Sequence, residues 1–307
     1  MGDTVRFGIA GVGNIGKLHA TAIGTIDGAE LVAVSSRTET HAKSAGETYG
    51  VPAYTDWRRL IEHPDIDVIT VCTPSGAHME ITVAAARAGK HVIVEKPLDI
   101  TLKRIDAMID AAENAGVKLG CIFPARFKIG AQRVKAAVEA GRLGRIALCD
   151  AYVKWYRTQE YYDTGGWRGT WELDGGGALM NQSIHHIDLL YHVAGDVTSV
   201  TAYTATRAHA IDAEDVAVAI LRFSSGALGV IEGSTATWPG SPGKLEISGS
   251  RGSVALEDVV VARWDINGAS EEEKNAMLTE ETSDGSGSSD PMGIGATGHI
   301  RQIEDFI

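Results

Sequence analysis

The chain has 307 residues, 44% of them hydrophobic, and a formal net charge of −12. That length supports two globular domains with a core each, and the acidic balance excludes the basic footprint that a nucleic acid or an anionic membrane surface requires. No stretch is apolar for long enough to span a bilayer, and Met1-Gly2-Asp3-Thr4 opens neither a basic nor an apolar leader, so we expect a cytoplasmic protein acting on a small molecule, without nucleic-acid or membrane partners.

Residues 1–123 alternate short apolar runs with helical patterns, the mark of βα units on a parallel sheet. Val5 to Ala10, Leu31 to Val34, Val68 to Cys72, Val92 to Val94 and Val117 to Ile122 read as buried strands. Lys17 to Ile23, Thr38 to Tyr49, Ala77 to Ala88 and Leu102 to Ala115 carry apolar residues at spacings of three and four, as helices lying on a sheet do. These features predict a doubly wound α/β domain over 1–123.

Residues 124–307 form a second, α+β domain in this reading. It holds a helix at Gly130 to Ala140, an extended run at Ile146 to Trp155 and a helix at Asn181 to Val193. Strands follow at Val197 to Ala205, Asp215 to Phe223, Leu228 to Thr235, Lys244 to Gly249, Ser253 to Leu256 and Val259 to Arg263. Short turns between them point to a largely antiparallel, open-faced sheet. Six strands with few helices to cover them leave one face for a second copy, so we expect a homodimer or homotetramer. Residues 271–298 are rich in Glu, Ser, Gly and Asp and read as a mobile loop or a lid. The last residues form a helical pattern without a stop signal, which suggests that the natural chain continues past Ile307. Cys72, Cys121 and Cys149 lie far apart, without metal-type spacing, and read as free thiols in a reducing compartment. No metal site is expected.

Gly11-Val12-Gly13-Asn14-Ile15-Gly16 follows the first strand directly and opens a helix. In that context Gly11 permits the tight turn, Gly13 admits a pyrophosphate and Gly16 lets the helix pack closely, with the phosphates at the helix N-terminus. The second strand ends Ser35-Ser36-Arg37, where such domains normally carry a carboxylate for the adenosine ribose. With no carboxylate to repel a 2′-phosphate and Arg37 able to pair with one, the cofactor reading is NAD(P), leaning towards NADP. Arg37 stacking on the adenine, or simply solvated, is the alternative.

Glu95-Lys96-Pro97 follows the fourth strand at the carboxyl edge of the sheet, where doubly wound folds bind ligands. Farther on, Gly175-Gly176-Gly177 leads into a helix on which Asn181, His185 and Asp188 stand at i, i+4 and i+7 and so share a face. His186 points elsewhere and reads as packing. Trp155-Tyr156-Arg157, Tyr161-Tyr162 and Trp167-Arg168 concentrate aromatics that stack on sugars and arginines that hold anionic substituents, or else merely pack. Arg126 is a further substrate-binding candidate.

These motifs, with Thr73-Pro74 and His78 after the third strand and the closing His299 to Phe306 pattern, make the chain resemble the glucose-fructose oxidoreductase, inositol dehydrogenase and rhizopine catabolism (Gfo/Idh/MocA) family over essentially its whole length. The resemblance implies a Rossmann domain, an oligomerising C-terminal sheet, and a site lysine and histidine that match Lys96 and His185. It places Thr73, Pro74, His78, Glu95 and Lys96 at the cofactor, with Ser36 and Arg37. The aspartate common in the family four residues before the histidine is Asn181 here, which weakens a specific assignment as inositol dehydrogenase, since a neutral amide cannot stabilise a charged imidazolium as a carboxylate can. The implied reaction moves a hydride between the nicotinamide and a carbinol or ketone carbon of a sugar, cyclitol or sugar derivative. His185 takes the hydroxyl proton, its unperturbed pKa of ~6.5 suiting it to that task, and Lys96 hydrogen-bonds the same oxygen. A glycosidase that retains its dinucleotide and acts by transient oxidation is one alternative, and a non-catalytic dinucleotide-binding regulator is another.

Overall fold

The computed structural model describes residues 4–279 and 295–307. They divide into two compact units: Met1–Ile122 with Trp171–Gly175 and His299–Ile307, and Phe123–Thr170 with Gly176–Gly298. The first unit also takes in the C-terminal helix, which buries Ile303 in its core.

The first unit runs β1 (Val5–Ala10), α1 (Asn14–Ile23), β2 (Ala29–Ser35), α2 (Glu39–Tyr49), β3 (Ala53–Tyr54), α3 (Trp57–Ile61), β4 (Val68–Val71), α4 (His78–Arg87), β5 (His91–Val94), α5 (Leu102–Ala115) and β6 (Leu119–Cys121). Its six strands lie in the order β3-β2-β1-β4-β5-β6, and every pairing is parallel. This is a doubly wound sheet whose order reverses between β1 and β4, the place where such sheets bind ligands. Alternate residues feed two cores. Phe7, Ile9, Val68 and Ile93 join one cluster, and Ala10, Ile69, Val71, Val92 and Val94 join the other, as a period of two requires of a sheet covered on both faces.

The second unit contains α6 (Ile129–Glu139), β7 (Ile146–Lys154), α7 (Gln159–Asp163), a π-helical turn at Ala178–Ser183, and α8 (Ile184–Ala194). There follow β8 (Val197–Ala205), β9 (Val216–Phe223), β10 (Leu228–Ser234), β11 (Lys244–Gly249), β12 (Gly252–Glu257), β13 (Val260–Ile266) and α9 (Glu271–Leu278). The helix α10 (Thr297–Phe306) closes the chain. The seven-stranded sheet has the order β13-β12-β11-β7-β10-β9-β8. It is antiparallel except for the parallel pair β7 and β10. One face packs Val134 and Ala137 of α6 and Leu189 and Leu190 of α8 against Ala151, Leu245, Ile247 and Val254. The other face leaves Tyr203, Val218, Ile220, Leu228 and Leu148 exposed, on strands whose registers bring these residues alongside one another.

The loop expected over 271–298 is a correction in part: Glu271–Leu278 is helical, with the Ser270 hydroxyl accepting the Glu273 N–H as an N-cap. Its stretch at 280–294 lies outside the described residues. Among the described residues no helix is long and apolar enough to cross a membrane.

Candidate functional site

In the first unit the glycine loop has the geometry its sequence implies. Gly11 has φ +100°, and a side chain there would press on the Cys72 carbonyl. A Cβ at Gly16 would collide with the carbonyl of Gly11, so α1 lies directly on the turn. At Gly13, the N-cap of α1, a Cβ would meet nothing within 4 Å, and no side chain caps the helix. A helix N-terminus with open space before it is a cradle suited to an anion. Asn14 and Ile15 are the first residues of that helix. At the end of β2, Ser36 donates its N–H to Tyr54 and Arg37 is exposed. A pyrophosphate with its adenosine end towards Ser36 and Arg37 fits these residues.

The loops after β4 and β5 are tied together beside this cradle. His78, 1% exposed, sets its two ring nitrogens 2.9 Å from the carbonyls of Thr73 and Pro97. Both partners are acceptors, and burial pushes the imidazole pKa down, so the neutral ring donates to one carbonyl at a time. The ring of His78 therefore ties the two loops together. Buried Asp99 accepts from the N–H groups of Met79 and Ile100 and from Arg104, which also donates to the Gly76 carbonyl. The hydroxyl of Thr73 is buried without a partner, next to Pro74, which opens the short turn before α4.

Lys96 is half-buried and the Lys96-Pro97 bond is cis. Its N–H donates to Glu95 Oε2 at 3.1 Å. Glu95 points into the fold, against His19 and His299, rather than towards a dinucleotide as expected. Burial alone would raise its pKa, but the two imidazoles outweigh that and hold it well below the usual carboxylate range.

In the second unit the glycine run is clamped by Glu214. Its carboxylate accepts from the N–H groups of Gly177 and Leu179, and its carbonyl accepts from Ala178. A Cβ on Gly177 would strike that carbonyl, which is why glycine is needed there. The next six residues form the π turn, and only then does α8 begin. Asn181 sits in this turn, its N–H donating to the Gly177 carbonyl, while His185 and Asp188 stand on α8. His185 stands in the first turn of α8, half-buried, with its ring edge-on to Phe123 at 6.4 Å.

Asp188 does not face an open site. Arg126 grips both its oxygens, at 2.8 and 2.5 Å, and the guanidinium lies over Phe123. Trp155 is also corrected, because it is 7% exposed, covered by Arg157 at 5.2 Å and met edge-on by His186 at 6.0 Å. Tyr156 is half-buried and bridges to Ala236. Arg168 lies over Tyr161 and Trp167, at 4.5 and 5.1 Å, and donates to the Thr164 carbonyl. Arg157 covers the other neighbour of this stack, Tyr161, at 5.5 Å. Tyr161 in turn accepts from Gln182 in the π turn. His186 is buried as expected of a packing residue.

Two family models match the chain: one described as the oxidoreductase family with an NAD-binding Rossmann fold, over residues 5–123, and one described as the GFO/IDH/MocA C-terminal domain, over residues 131–255. The chain belongs to the Gfo/Idh/MocA oxidoreductase family. Its N-terminal unit is the family's NAD-binding domain, and the mixed sheet is its C-terminal domain. A myo-inositol 2-dehydrogenase of Thermotoga maritima is 32% identical over 293 residues, covering 91% of this chain and 80% of that relative. A levoglucosan dehydrogenase of Pseudarthrobacter phenanthrenivorans is 28% identical over 83% of this chain and 74% of its own length. The WlbA dehydrogenase of Bordetella pertussis, solved with NADH and UDP-GlcNAcA, superposes with a TM-score of 0.87 at 36% identity, covering 92% of this chain and 83% of that one.

Proposed function

We propose that this member of the family oxidises a secondary carbinol of a cyclic polyol, sugar or sugar derivative, or reduces the corresponding ketone. The observation that carries the reading is the pairing of the open cradle at Gly13 with Lys96, which leaves β5 on the same sheet edge. A bound nicotinamide supplies the hydride acceptor. Lys96 donates a hydrogen bond to the substrate oxygen and stabilises charge developing there, and His185 accepts the hydroxyl proton. The similar proteins act on, or are solved with, inositol, levoglucosan and a nucleotide-sugar acid, all carrying secondary carbinols on a ring.

The finer cofactor reading is NADP at least as readily as NAD, supported by the exposed Arg37 and the absence of a carboxylate in Ser35-Ser36-Arg37. The exposed residues Tyr203, Val218, Ile220, Leu228 and Leu148 support assembly through the open sheet face into a dimer or tetramer. Three free cysteines agree with a cytoplasmic setting.

Following absorbance of the reduced nicotinamide while cyclitols, aldoses, anhydrosugars and nucleotide-sugar acids are offered with each cofactor tests the function. Net reduction with at least one polyol, lost in His185→Ala, is expected. Bond cleavage without net reduction across the panel would favour a glycosidase with retained dinucleotide instead.

A further inference from the structure

Glu95 is 5% exposed, and the residues around it, His19, Thr70 and His299, are buried to 2% exposure or less. The Thr70 hydroxyl stands 2.8 Å from His19 Nδ1, and His19 Nε2 stands 2.9 Å from Glu95 Oε1. An ionised carboxylate only accepts, so His19 Nε2 carries a proton and donates it to Glu95, while Nδ1 shares a hydrogen bond with the Thr70 hydroxyl. His299 presents its Nε2 at 3.6 Å to the same oxygen, its ring edge-on to His19 at 5.6 Å. The second oxygen of Glu95 accepts the Lys96 N–H. One buried carboxylate thus joins the helix that opens at the dinucleotide cradle, the C-terminal helix and the backbone of the lysine.

We propose that Glu95, with His19 and His299, is a positioning group for Lys96, fixing where the lysine backbone leaves β5 relative to the helix that starts at the dinucleotide cradle. The inference rests on the reading of Lys96 given above. The three ring and carboxylate atoms lie within 4.8 Å of one another, close enough for a divalent cation. The 2.9 Å between His19 and Glu95 is nevertheless hydrogen-bond spacing. It is shorter than the roughly 3.3 Å that metal bonds of about 2.0 Å impose between tetrahedral ligands. A protonated His19 Nε2 also has no lone pair to give a metal. The trio therefore holds a proton network.

The network is tested by assaying full-length Glu95→Ala, Glu95→Gln, His299→Phe and Lys96→Met for turnover, dinucleotide affinity and metal content. In Glu95→Ala the lysine backbone loses its acceptor. Turnover should fall at least ~10-fold, short of the ~100-fold that a 1 Å misplacement can cost, while dinucleotide Kd changes less than ~3-fold. Glu95→Gln should recover most of that loss, since the amide oxygen accepts the Lys96 N–H while the amide N–H donates to Nε2 of His19 in its other tautomer, whose Nδ1–H then donates to the Thr70 hydroxyl. His299→Phe keeps the volume, removes the weaker contact, and should lower turnover ~3-fold at unchanged Kd, a result available even if the alanine variant does not fold. A merely structural role would lower Kd affinity and turnover together, without recovery in the glutamine variant. Wild-type turnover in Glu95→Ala or His299→Phe, no recovery in Glu95→Gln, or stoichiometric metal that His299→Phe releases would each overturn the inference. An inactive Lys96→Met beside a fully active Glu95→Ala overturns it alone; an active Lys96→Met overturns the reading of Lys96 as well.

Discussion

Arg126 holds both carboxylate oxygens of Asp188, with its Nε at 2.8 Å and an Nη at 2.5 Å. The Asp188 side chain is 7% exposed and that of Arg126 34%, so the acid is the buried member. Burial raises the Asp188 pKa by more than Arg126 offsets. His192 is pushed down to about 4, first by burial and then by Arg126 and Lys135.

Removing Arg126 strands a buried carboxylate. Arg126→Leu should cost about 1–2 kcal/mol in urea denaturation, below the range for fully buried pairs because the arginine is part-exposed. The signs of the two pH effects differ. Asp188 has a raised folded pKa, so its contribution favours the fold below the unfolded value of ~3.9 and is lost as pH rises through the folded value. His192 has a lowered folded pKa, so between about 4 and the unfolded value near 6.5 its contribution to stability grows with pH. In Arg126→Leu the His192 pKa should move up when followed by NMR, and an unmoved value would contradict the placement of that charge.

The cradle makes a prediction that separates folding from binding. A Cβ at Gly13 meets empty space, whereas one at Gly16 meets the Gly11 carbonyl. Gly13→Ala should change stability by less than ~1 kcal/mol yet weaken dinucleotide binding at least ~10-fold by calorimetry, because the methyl occupies the phosphate's approach. Gly16→Ala should lose both. Equal dinucleotide affinity in Gly13→Ala and the parent would place the phosphates elsewhere.

Arg37 is exposed at the end of β2 with no acidic neighbour in Ser35-Ser36-Arg37. Arg37→Ala should weaken NADP at least ~5-fold, the order of one charge-assisted contact, and leave NAD within ~2-fold. A strong NAD preference untouched by the substitution would remove Arg37 from the ribose site.

On the open sheet face Ile220 is 59% exposed and Tyr203 84%. Ile220→Glu should shift the mass seen in light scattering towards one chain at micromolar concentration, since a charge in an apolar interface costs more than the contacts around it return. A parent protein that is already monomeric would refute the assembly.

Much of this was legible because local chemistry decides it. Gly16 of the cradle is demanded by the Gly11 carbonyl five residues before it, and the strands of the parallel sheet are apolar runs that only burial explains. Short elements escaped: the two residues of β3 and the five of α3 carry no measurable period. Helix α9 did have a signal, since Ser270 and Glu273 form the S-x-x-E pattern of a capped start, but its acidic composition hid it. The π turn was unreadable because apolar spacing does not distinguish its wider turn from an α-helix. The surroundings of Glu95 were unreadable for another reason: His19 and His299 come from opposite ends of the chain and meet only after folding. The pairing of Asp188 with Arg126 likewise took both residues from the exposed roles their types suggested.

Turnover in Lys96→Met tests the central claim most directly. The substitution keeps the length of the side chain and removes its charge and donors, far enough along the sheet edge from Gly11 to Gly16 to leave the phosphate cradle alone. Turnover at saturating polyol should drop at least ~100-fold, with dinucleotide Kd within ~3-fold of the parent. Turnover within a few-fold of the parent at unchanged Kd would contradict the account, because the lysine would then not be the group that holds the reacting oxygen.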